Sequence, residues 1–69
     1  MIAIFKTNIT DFNKADEIIS MLSYHFPCCK INFDLQDCDN ILRVKGDSVS
    51  VAKIIQLVSS SGSVCTLLD

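Results

Sequence analysis

No apolar run in these 69 residues approaches the roughly 20 residues needed to cross a bilayer. There is no repeat, linker or low-complexity segment, and there is a single histidine and a single proline. Basic clusters are also missing: the six lysines and arginines are scattered singly and the net charge is −2. Without a clustered basic face, neither nucleic-acid phosphates nor an anionic membrane surface is an expected partner. The opening Met1-Ile2-Ala3-Ile4-Phe5-Lys6 has no basic stretch before its apolar run and no small-residue cleavage site after it. The expected location is therefore cytoplasmic. A chain of 7.6 kDa allows one domain, residues 1–69. At this size only about 60% of the extended-chain surface is buried. That excludes a second domain, a long active-site barrel or a doubly wound sheet. Disorder is excluded as well, because 49% of the residues are hydrophobic and 20% charged.

What is present alternates between two periods. Residues 2–7 are apolar with a β-branched bias and predict a central strand. Across 13–26, Ala15, Ile18, Ile19, Leu22 and Phe26 recur at offsets of three and four, which traces one stripe of a helix. Thr10, Asp11 and Asn13 are candidates for its start, and Pro27 stops it. Residues 30–35 alternate, with Ile31, Phe33 and Leu35 on one side and Lys30, Asn32 and Asp34 on the other. Residues 41–45 do the same, with Leu42 and Val44 inward and Arg43 and Lys45 outward. The turn formers between them predict a hairpin. Gly46-Asp47-Ser48 is expected to open a second helix with the stripe Val51, Ile54, Ile55 and Val58, ended by Gly62. A last apolar run covers 63–68. The order strand–helix–strand–strand–helix–strand predicts a ferredoxin-like α+β sandwich, a four-stranded antiparallel sheet with two helices on one face.

With both stripes placed, the chain resembles the heavy-metal-associated domain family of copper chaperones and metal-pump modules over nearly its whole length. The resemblance is carried by Ile18 and Leu22 before Phe26-Pro27, by the hairpin Ile31–Val44, and by Ile55-x-x-Val58-x-x-x-Gly62. The run Phe33–Val44 also resembles a bacterial branch of this group that lacks the paired cysteines. The family's Met-x-Cys-x-x-Cys loop holds Cu(I) or a related soft ion on two thiolates. Here that loop falls on Ile9-Thr10-Asp11-Phe12-Asn13-Lys14. Ile9 takes the place of the methionine, while Asp11 and Lys14 take the places of the cysteines. No metal ligand carries over, and Lys14 would repel a cation. Ser63 stands where an aromatic usually follows the glycine, which implies a packing gap or a more open sheet edge.

Each remaining candidate site has a plainer alternative. Cys28, Cys29, Cys38 and Cys65 are expected to be free thiols. In the usual strand order 4-1-3-2, Cys28 and Cys29 enter one edge strand and Cys65 the other, about 14 Å away. Cys38 lies in the hairpin, so the four cannot meet at one ion. Cys28 and Cys29 alone remain a candidate pair for a soft ion, shared across a dimer. Otherwise Cys29 is expected under the helix and Cys28 on the surface. Asp34, Asp37 and Asp39 lack the glycine and terminal glutamate of a calcium loop and are expected to cap their own turn. His25, near a helix end, has no orienting acid, so no catalytic residue is assigned and the protein is read as not an enzyme. No cofactor is assigned either.

The most informative feature is the sheet's second face. Ile2 and Ile4 alternate with Ala3 and Phe5, and Val64 and Leu68 alternate with Cys65 and Leu67. The helices can cover only one of these sets, and the outward residues of the two neighbouring strands then merge into an apolar patch. The stems of Lys6, Arg43 and Lys45 are positioned to shield it. The expected function is a small non-enzymatic interaction module working through this face or an edge strand, as a homodimer or with a protein partner. The alternatives are a Cu(I) or Zn(II) carrier using Cys28 and Cys29, and a regulatory metabolite-binding domain.

Overall fold

The computed structural model describes residues 1–36 and 38–68. Their order is β1 (Ile2–Thr7), α1 (Phe12–His25), β2 (Lys30–Asp34), β3 (Ile41–Lys45), α2 (Val51–Ser60) and β4 (Cys65–Leu67). The strands form one antiparallel sheet in the order β2-β3-β1-β4. This is the ferredoxin-like βαββαβ sandwich that the two alternating periods predict.

Strand alternation sorts the side chains. Ala3, Phe5, Leu42 and Val44 face the helices and are buried, and Ile31 and Phe33 pack beside them. The helices supply Ala15, Ile18 and Leu22 from α1 and Ile54 and Val58 from α2. Each of the larger side chains among these, valine and above, contributes about 1.5–3 kcal/mol when fully buried.

The helix ends are set by specific groups. Asp11 caps α1, its Oδ1 accepting from the Asn13 amide at 2.9 Å. At the other end, Phe26 leaves the helical region because it precedes Pro27. Helix α2 begins at Val51, capped by Ser50, and not at Gly46-Asp47-Ser48. The reason is Val49, which is drawn into the core beside Ile54, a hydrophobic staple across the cap. The chain must therefore descend into the core before the helix can start. At the C-terminus of α2, Gly62 donates to Ser59 O at 3.1 Å and Ser63 donates to Val58 O at 3.3 Å. This is a Schellman closure, and Gly62 supplies its left-handed residue with φ 89°.

Two elements are shorter than the sequence suggests. Strand β4 holds only three residues, and β2 stops at Asp34. Asn40, with φ 49°, turns the chain into β3. Thr7 anchors that turn: its Oγ1 donates to Asn40 O at 2.6 Å and its amide to Asp39 O at 3.1 Å.

Candidate functional site

Three places carry chemistry, and the 9–14 turn comes first. Ile9 is buried in the core. Asp11 is spent on the α1 cap. Lys14 donates from Nζ to Ser61 O at 2.8 Å, and its ion pair with Glu17 spans 3.5 Å. A cation thus sits on the terminal carbonyls of α2, where the helix dipole is negative. Asp11 thus caps the start of α1, and Lys14 ties α1 to the end of α2.

The second place is a half-open cleft of about 390 Å³ at the end of the sheet, lined by Met1, Cys28, Cys29, Lys30, Lys45, Gly46, Asp47 and Ser48. Met1 and Gly46 exchange two hydrogen bonds there, of 2.8 and 3.0 Å. Cys28 is exposed, while Cys29 is half-buried against the core. The Cys29 sulfur lies against the connection between β3 and α2, 4.0 Å from Ser48 O. It comes so close to Gly46 that a Cβ on that glycine would stand 2.7 Å from Sγ. The structure therefore brings Cys28 and Cys29 to one cleft. Cys38 is exposed in the hairpin, and Cys65 is buried on the opposite edge strand, where burial raises its thiol pKa. Among the described residues, no three His, Cys, Asp or Glu side chains converge as metal ligands. His25 is exposed, stacked edge-on to Tyr24 with ring centroids 5.4 Å apart, and does not line the cleft. Asp34 accepts from the Gln36 amide at 3.1 Å and pairs with Arg43 at 3.5 Å, and Asp39 pairs with Lys6 at 3.8 Å. Asp37 lies outside the described residues.

The third place is the sheet face without helices. Register puts Ile2 beside Lys45, with Lys30 on the far side of Lys45, Ile4 beside Arg43, with Asn32 on the far side of Arg43, and Lys6 between Ile41 and Thr66. Leu68, whose amide donates to Ile4 O at 2.7 Å, adds a further aliphatic. Ile2 and Leu68 are each 50% exposed, Ile4 next to them is half-buried, and Val64, 61% exposed, lies at the other end of β1, where its carbonyl accepts from the Asn8 amide. Ile41 points to this face yet is only 5% exposed and lies outside the main core cluster. Sequence reading places Leu42 and Val44 inward but gives no hint of this, because cover by neighbouring side chains depends on register.

Register also gathers charge. Lys6, Lys30, Arg43 and Lys45 all occupy outward positions. Four of the chain's six cations therefore share one face with a single strand carboxylate, Asp34. Lys30 and Lys45 stand directly opposite each other, a cross-strand arrangement that like charges disfavour. Neither has an ion-pair partner among the described residues. The cations scattered along the sequence are clustered in the fold. Among the described residues, no helix is long and apolar enough to cross a membrane. Comparison of the chain with protein-family models, curated proteins and solved structures finds no match.

Proposed function

We propose that this chain is a small non-enzymatic interaction module that docks a protein through the open face of its sheet. The observation that carries this reading is the pair of half-exposed aliphatics Ile2 and Leu68, which flank half-buried Ile4 on the open face and are bordered by Lys45 and Arg43. A 69-residue domain gains stability when such surface is covered by a partner. The module keeps the frame that resembles a heavy-metal-associated domain. Where that family places its dithiolate, this chain uses Asp11 as a cap and Lys14 as a tie between helices. The test is a photoreactive phenylalanine in place of Leu68, compared with the same group in place of Glu17 on α1. Adducts identified by mass spectrometry as one protein species are expected from position 68 alone. Equal adducts from both positions, or none from 68, contradict the reading.

A second reading, the soft-metal carrier, has one observation in its favour: Met1, Cys28 and Cys29 line the same cleft, and thiolate and thioether sulfur suit Cu(I). Lys30 and Lys45 on that cleft oppose a cation. Titration with Cu(I) and Zn(II) decides between the two readings. Stoichiometric binding that C28S/C29S abolishes favours the carrier, and weak binding indifferent to the substitutions favours the docking module.

A further inference from the structure

The charge on the open face specifies the chemistry of the partner. The outward strand positions hold four cations against one acid, a charge of +3. The rest of the chain holds two cations against seven acids, a charge of −5. A weakly acidic protein thus keeps its positive charge on the one face that also exposes aliphatic side chains. Arg43 and Lys6 are partly neutralised by Asp34 and Asp39, at 3.5 and 3.8 Å. Lys30 and Lys45 have no such partner among the described residues, and the sheet holds them opposed at a cost in stability. A carboxylate placed between them would remove that cost.

We propose that the open face receives an acidic protein segment, one whose aliphatic side chains cover Ile2, Ile4 and Leu68 while its Asp and Glu side chains meet Lys30 and Lys45. This deepens the docking reading above and rests on it. A second copy of the chain fits poorly, because two such faces brought together about a two-fold axis oppose positive charge with positive charge. Single-stranded nucleic acid also fits poorly. None of the described residues at outward strand positions is aromatic, so bases have nothing to stack on, and the remaining surface repels phosphate.

The test uses the full chain labelled with ¹⁵N and four probes: a synthetic peptide alternating Glu and Val, its counterpart alternating Lys and Val, a single-stranded DNA oligonucleotide, and vesicles of phosphatidylcholine and phosphatidylserine. The acidic peptide is expected to bind in preference to the other three, with amide shifts confined to β1, β3, the start of β2 and the segment around Leu68. Its affinity is expected to fall as salt shortens the screening length below the physiological value of about 8 Å. K45E is the decisive variant. It converts a repelling cross-strand pair into an attracting one, so it is expected to fold with a higher thermal midpoint while binding the acidic peptide about tenfold more weakly. Preference for the basic peptide, DNA or vesicles, binding of no probe, or K45E binding as wild type does, each overturns the proposal. If position 68 still crosslinks specifically to one protein while the acidic peptide shows no preference, the face remains a docking surface and only the acidity of its partner is refuted. Shifts confined to the helices, with no crosslink from position 68, refute both.

Discussion

Asp11 and Lys14 stand where the resemblance places two thiolates, and each has a structural duty instead. The carboxylate of Asp11 takes the free amide of Asn13, one of the unpaired donors at the start of α1. D11A is expected to cost about 1 kcal/mol, a fall in thermal midpoint of about 4–8 °C for a domain of this size, whereas D11N retains most of the cap. Calorimetry on the three proteins checks this, and a D11A midpoint equal to wild type contradicts it. Cys65 supplies a pH dependence. Burial raises its thiol pKa above the ordinary value of 9.0, so between the unfolded and folded values the native state holds the proton more tightly than the unfolded chain. The stability contributed by this neutral thiol is therefore complete below the unfolded pKa and is lost as pH rises above it. Urea midpoints measured from neutral pH upward are expected to fall more steeply for wild type than for C65A. Parallel curves contradict a buried neutral thiol.

At the scale of elements, the two glycines act for different reasons. Gly62 has a φ of 89° and open space around its Cα, so G62A is expected to cost about 1–2 kcal/mol through backbone strain alone. Gly46 has ordinary backbone geometry, and its constraint is the Cys29 sulfur, 2.7 Å from where a Cβ would lie. G46A is expected to destabilise by about 1–3 kcal/mol, the usual cost of overpacking. In the C29A background the same change is expected to be neutral or slightly stabilising, because the sulfur is gone and alanine restricts the unfolded chain. A double-mutant cycle by urea unfolding checks the coupling, and additive effects contradict the contact. These junctions also mark how far sequence reading reaches. The spacing of Ile18 and Leu22, of Ile54 and Val58, and the parity of Leu42 and Val44 are local signals, and they suffice for both helix stripes, the hairpin and the strand order. Helix α2 starts later than Gly46-Asp47-Ser48 suggests because Val49 is pulled into the core by residues distant in sequence. The place of Cys29 beside Gly46 and Ser48, and not simply beneath a helix, likewise depends on how β2 meets the end of β3.

The whole molecule is divided by charge, with cations on the bare sheet face and most carboxylates elsewhere. Parts of this were legible. The outward parity of Ile2, Ile4, Val64 and Leu68 follows from strand alternation, and so does the position of Lys6, Arg43 and Lys45 on the same face, while the half-burial of Ile4 does not. The clustering itself was not, because residues 6, 30, 43 and 45 meet only through two strand registers, neither of which sequence spacing encodes. The near-complete burial of Ile41 on that same face was hidden for the same reason. Coverage of the face in its working state is best measured by hydroxyl-radical footprinting, comparing the protein in the cells that make it with the purified chain. Phe12 and Tyr24, 73% and 83% exposed on α1, serve as internal references. Ile2, Ile4 and Leu68 are expected to be oxidised less in the cell than in isolation while Phe12 and Tyr24 react equally in both. Equal oxidation of the sheet residues in the two samples, or protection confined to the α1 aromatics, would contradict a partner seated on the open sheet.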